Sequence, residues 1–83
     1  MKKELKTTAM FKIVMTLKNG AHKILRMTID KVAMLNAAIR QAKEYGMVNN
    51  RYRDFLTAIG VELSKFHSCK VINERTGELF LAL

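Results

Sequence analysis

The sequence has no proline and no tryptophan, one cysteine, four glycines and seven acidic residues in 83 positions. Each shortage excludes something. A lone Cys69 cannot bridge within the chain, so a disulfide framework is ruled out. Small secreted domains usually depend on such staples, so a reducing cytoplasm is the expected location. No run of about 18 apolar residues exists, which removes a transmembrane helix and leaves no membrane partner to expect. The basic start, Met1 to Thr8, has the charge of a signal n-region. The apolar stretch after it is broken by Lys12 and runs into Lys18-Asn19-Gly20, so no signal peptide is expected. No proline-rich, repetitive or low-complexity tract marks a linker.

What is present is apolar and basic. At 49% hydrophobic, the chain can form a core. Folding a chain of this length buries about 63% of its extended surface, enough for one thin core and one domain. Residues 1–8 read as a flexible basic arm and 9–83 as the domain. Fifteen Lys and Arg against seven Asp and Glu leave a net +8. Residues 1–28 hold seven cations against Glu4 alone, a net +6, and residues 29–54 hold five against three. Residues 55–83 balance at three against three. This asymmetry points to a polyanionic or acidic partner for the N-terminal side.

The hydrophobic period changes along the chain. Phe11, Ile13, Met15 and Leu17 alternate with Lys12, Val14 and Thr16, the pattern of a half-buried strand over Met10 to Leu17. Asn19-Gly20 signals a hairpin into a second strand, His22 to Thr28. The apolar residues select its register. A three-residue loop, Lys18-Asn19-Gly20, pairs Leu17 with Ala21, Met15 with Lys23, Ile13 with Leu25 and Phe11 with Met27. A two-residue turn would move His22 and Arg26 onto the face of Phe11 and Ile13. With the longer loop, Lys12, Thr16, His22 and Arg26 share the polar face.

Val32, Leu35, Ile39 and Ala42 form a helical stripe from about Asp30 to Tyr45, closed by Gly46. Thr28 or Asp30 is its N-cap. Asn49 or Asn50 starts a second helix carrying Tyr52, Phe55, Leu56, Ile59, Leu63 and Phe66, with Gly60 inside it. The short connection favours a helical hairpin. Period two then returns in Cys69 to Asn73 and Glu78 to Leu83, around a turn ending in Gly77. Pairing Asn73 with Glu78 sets Ile72 opposite Leu79 and Lys70 opposite Leu81, with Leu83 on that face. Cys69, Val71, Phe80 and Ala82 take the other. The expected fold is α+β: a β-hairpin, a two-helix hairpin and a β-hairpin (ββααββ), in one antiparallel sheet with the helices on one face. Phe11, Ile13, Leu25, Leu35, Ile39, Phe55, Ile59 and Leu63 are the expected core.

No enzyme is expected. His67-Ser68-Cys69 offers a thiol and an imidazole, but no third group to orient them, and Cys69 reads as a small apolar filler. Two His and one Cys do not make a metal site, and no glycine-rich phosphate loop exists. No cofactor is implied. The six methionines read as core fillers.

Nucleic acid is the expected partner. Lys12, Lys18, Lys23 and Arg26 lie on the first hairpin, Lys2, Lys3 and Lys6 on the arm before it, and Arg51 and Arg53 at the start of helix two, where backbone N–H groups favour phosphate. A two-stranded ribbon can enter a major groove, while a basic arm follows the backbone. No aromatic stacking platform stands out. The alternative is a protein-interaction module or inhibitor that docks an acidic protein surface. Its last hairpin, apolar on both faces, would also allow a homodimer through Val71, Phe80 or the edge near Leu81.

Overall fold

The computed structural model describes residues 9–83. β1 (Met10–Leu17) and β2 (His22–Thr28) form the first hairpin. α1 (Ile29–Tyr45) and α2 (Asn50–Ala58) follow, then a 3₁₀ turn (Leu63–Lys65), β3 (Phe66–Asn73) and β4 (Leu79–Ala82). The strands make one antiparallel sheet in the order β2-β1-β3-β4, so the two hairpins join through β1 and β3. The architecture is the expected α+β fold in the order ββααββ.

The first hairpin has the expected register: Phe11 faces Met27, Ile13 faces Leu25 and Met15 faces Lys23. The Leu17 N–H donates to the Ala21 carbonyl at 2.8 Å, and the Gly20 N–H donates to Leu17 at 2.9 Å. Gly20 has φ +89°, a left-handed turn conformation that glycine adopts without a Cβ penalty. The Asn19 side chain accepts from the Ala21 N–H at 2.9 Å and fixes the turn.

β2 runs directly into α1, with Thr28 at the N-cap making no side-chain capping bond. Asp30 sits in the first turn and Lys43 in the last, each favoured by the helix dipole. Val32, Leu35, Ala38 and Ile39 are buried against Phe11, Ile13, Met15 and Met27 of the first hairpin and Cys69 and Val71 of β3. Asn49 caps α2 by accepting from the Tyr52 N–H at 2.9 Å. Gln41 in turn accepts from the Asn49 N–H at 2.7 Å, which ties the connection back to α1.

The second helix is shorter than its apolar spacing suggests. Gly60 lies at φ +79°, beyond the helix end rather than inside it. Its N–H donates to Thr57 at 3.1 Å, and the Val61 N–H donates to Leu56 at 2.9 Å. These are the two bonds of a Schellman cap, and buried Val61 and Leu56 supply its hydrophobic contact. Leu63 and Phe66 therefore leave the helical stripe for the 3₁₀ turn and the start of β3. α2 packs against α1 rather than directly on the sheet. Phe55, Ile59 and Leu63, expected in the core, are consequently half-buried, as is Leu25 on the edge strand β2.

Two bulges rephase the C-terminal strands. Thr16 pairs with Ser68 but Leu17 pairs with Phe66, so His67 is an extra residue. It lets Phe66 and Cys69, three apart, both face the helices. Ile72 pairs with Leu79 as expected, but Val71 then pairs with Leu81 and Lys70 with Ala82, so Phe80 is extra. The expected Lys70–Leu81 pair is thereby corrected by one residue. Leu81 and Leu83 move to the helix side, and Ala82 joins Lys70 on the other face. The Phe80 ring turns against Phe11, with centroids 4.9 Å apart.

The position of Gly60 gives a test by sign. In a helix interior, Gly60→Ala would gain about 1 kcal/mol of stability. At a left-handed cap it should instead lose about 1 kcal/mol or more. Urea unfolding of the variant beside the native chain reads the difference.

Candidate binding face of the sheet

α1 covers one side of the sheet, and among the described residues nothing covers the other. The pairings arrange the open side in rungs. Lys12 lies between Arg26 and Ile72. Val14 lies between Ile24 and Lys70, with Ala82 beyond Lys70. Thr16 lies between His22 and Ser68. Lys12, His22, Arg26 and Lys70 are exposed, and Ile24 retains 58% of its surface. The alternation of the pleat places these side chains opposite the core set Phe11, Ile13, Met15, Cys69 and Val71.

Glu74, just after β3, engages Arg26 with both carboxylate oxygens, at 2.5 Å from Nε and 2.8 Å from Nη2. The hydrogen bonds from Arg26 hold the Glu74 carboxyl below its usual range. Desolvation opposes this, while the charges of Arg26 and Lys12 add to it. The Arg26 guanidinium is pushed up, first by the same hydrogen bonds. Arg26 is thus partly neutralised where it stands, whereas Lys12 and Lys70 form no ion pair among the described residues.

The other expected contact residues divide. Lys2, Lys3 and Lys6 lie outside the described residues. Lys18 is exposed in the hairpin turn, where its backbone N–H donates to Lys65 at 2.8 Å. Lys23 pairs with Met15 on the helix side, and its Nζ donates to the Gly60 carbonyl. It ties β2 to the turn that follows α2 and is removed from the basic face. Arg51 and Arg53 are exposed in the first half of α2, in the helical layer. Val71 is fully buried between Ile13 and Leu81 and offers no surface to a partner. Phe80 keeps 52% exposure, and Leu81 is half-buried.

Lys70 and Ile24 join the face without having stood out in the sequence. Lys70 reaches it only because β3 lies beside β1, and strand order has no local signal. The same pairing makes the basic face wider than a two-stranded ribbon. β1 is paired on both sides, so the first hairpin is half of a four-stranded sheet. Four strands at about 4.8 Å spacing span about 14 Å between outer strand axes, more than a major groove about 12 Å wide admits.

His67 and Cys69 do not form a reactive pair. His67 is exposed, with Nδ1 3.1 Å from Ser68 Oγ. Cys69 is buried, and burial pushes its thiol up to about 11, against a smaller lowering by Lys43. A cleft of about 430 Å³ between the end of α1 and the start of β3 includes Lys43, Ser64 and His67 but no carboxylate. Among the described residues no three His, Cys, Asp or Glu side chains gather as a metal would require. No helix among them is long and apolar enough to cross a membrane. Compared with family models, curated proteins and solved structures, the chain matches none.

Two outcomes follow from these environments. Glu74 has a lowered folded value, so its contribution is present above its unfolded value and is lost as pH falls through the folded one. Glu74→Gln should therefore destabilise at neutral pH, and the difference from the native chain should shrink as pH falls through the carboxylate range, by urea unfolding at low salt. The Cys69 thiol should react with a disulfide reagent at pH near 8 far more slowly in the folded chain than in denaturant.

Proposed function

We propose that this chain is a non-enzymatic binding protein that contacts nucleic-acid phosphates through the open face of its sheet and the basic residues preceding β1. The observation that carries the reading is the exposed placement of Lys12 and Lys70, which form no ion pair among the described residues, on one face with Arg26 and His22. Among the described residues, the only carboxylate bonded into this cluster is the Glu74 group held by Arg26. Residues 1–8 add Lys2, Lys3 and Lys6 against Glu4, and the chain from them enters the sheet two residues before Lys12. The sheet is too wide to lie in a groove as a two-stranded ribbon does, so the face rests across the backbone. Phosphate contacts position a protein without reading sequence. The rungs carry no Phe, Tyr or Trp, and their one ring is His22 on the edge strand, so they form no platform for successive unpaired bases. Duplex of any sequence is the expected ligand. A single buried thiol supports a reducing, cytoplasmic setting.

A second reading has its own observation. Ile24, Val14, Ile72 and Ala82 lie among the cations, and aliphatic side chains gain little from phosphates. They suit an acidic protein surface with apolar residues of its own. The two readings separate by substitution. Five or six phosphate contacts should give a slope of log K against log salt of about −4.5 to −5.4 on duplex DNA. Lys12→Ala and Lys70→Ala should each flatten it by about 0.9, and Arg53→Ala, in the helical layer, should leave it unchanged. Ile24→Ser should not alter duplex binding. Failure of the native chain to bind duplex or single strand at low salt removes the nucleic-acid reading and leaves the acidic protein.

A further inference from the structure

We propose that the outer edge of β4 pairs, antiparallel, with the same edge of a second copy of this chain. Cys69 and Leu83 exchange backbone bonds at 3.1 and 2.8 Å, so the residue between Leu83 and Leu81 turns its polar groups the other way. The Ala82 N–H and carbonyl therefore point out from the sheet, and among the described residues no strand meets them. β4 is short and carries the Phe80 bulge, but it has no charged residue and no proline to blunt its edge. It reads Leu-Phe-Leu-Ala, with Leu79 and Phe80 more than half exposed. The opposite edge, β2, carries His22, Lys23 and Arg26.

Charge selects the occupant. Two copies at +8 repel each other, and the excess lies in residues 1–54. Residues 55–83 are balanced and β4 itself carries no charge, so two copies meet there against less repulsion than at β2, with Lys70, beside Ala82 on the open face, as the neighbouring cation. An acidic partner is drawn to Lys12 and Lys70 instead. An edge without charge selects by backbone pairing, and a two-fold axis supplies that complement from the same strand. With each Leu81 beside its copy, the outward backbone groups of Ala82 in one chain meet the bulged backbone at Phe80 of the other. The axis stands normal to the sheet, so both open faces point the same way and join into one eight-stranded surface.

The test is sedimentation equilibrium without nucleic acid from ~1 to ~500 μM, at low and high salt. The mass should rise toward twice the 9.5 kDa chain, and more readily at high salt, where repulsion is screened. That salt response is opposite to phosphate binding, so this proposal and the proposed function fail separately. Ala82→Pro deletes an N–H that the β3 ladder does not use, and should remain monomeric with an unchanged far-ultraviolet spectrum. If that variant misfolds, Leu79→Lys and hydrogen exchange of the native Ala82 amide decide. Exchange should slow as concentration rises. A monomer at both salts, or undiminished association of a folded Ala82→Pro, overturns the proposal. So does Ala82 protection that is independent of concentration and lost on deleting residues 1–8, which would put the chain's own start at that edge.

Discussion

The pairing of β1 with β3 holds the rest of the molecule in place. It joins Ile13 to Val71 and Met15 to Cys69, four residues with almost no remaining exposure. Between them lies the helical segment, so closing this pair orders the whole intervening loop. The entropy of that closure grows only slowly with length, and the buried apolar surface of four central side chains offsets it. α1 then has a continuous floor, formed by Phe11, Ile13, Met15 and Met27 with Val71 and Cys69. The same pairing fixes the other side of the sheet. Each buried position sets its neighbours outward, so Lys12 and Lys70 are exposed because Ile13 and Val71 are not.

Local patterns disclosed much of this. The first hairpin was legible because one register alone collects its apolar residues, and Gly20 supplies the turn that register needs. α1 was legible because its stripe, first-turn acid and closing glycine agree. The end of α2 was not, because Leu63 and Phe66 continue the helical spacing by coincidence. The decisive signal was Gly60 between Leu56 and Val61, a capping pattern rather than a flaw in a helix. The bulges at His67 and Phe80 had no local signal. Each answers to a partner strand distant in sequence, and each shifts which side chains reach the face. Lys12 and Arg26 could be assigned to the candidate site from the hairpin alone, but Lys70 could not.

The basic residues serve different ends. Lys23 is spent on the Gly60 carbonyl just beyond α2, and Arg26 is shared with Glu74. Lys12 and Lys70 keep their charge for the solvent. A count of cations therefore overstates what the sheet presents, and the pairing decides which of them a partner meets.

β2 passes into α1 at Thr28 and Ile29 without an intervening loop. Most strand-to-helix junctions contain a few residues that can absorb rotation. Here the backbone offers no such slack, and Lys23 fastens the far end of the same strand to Gly60. The edge strand is thus clamped to the helical layer at both ends. A displacement of β2 therefore has no loop in which to be taken up before it reaches α1.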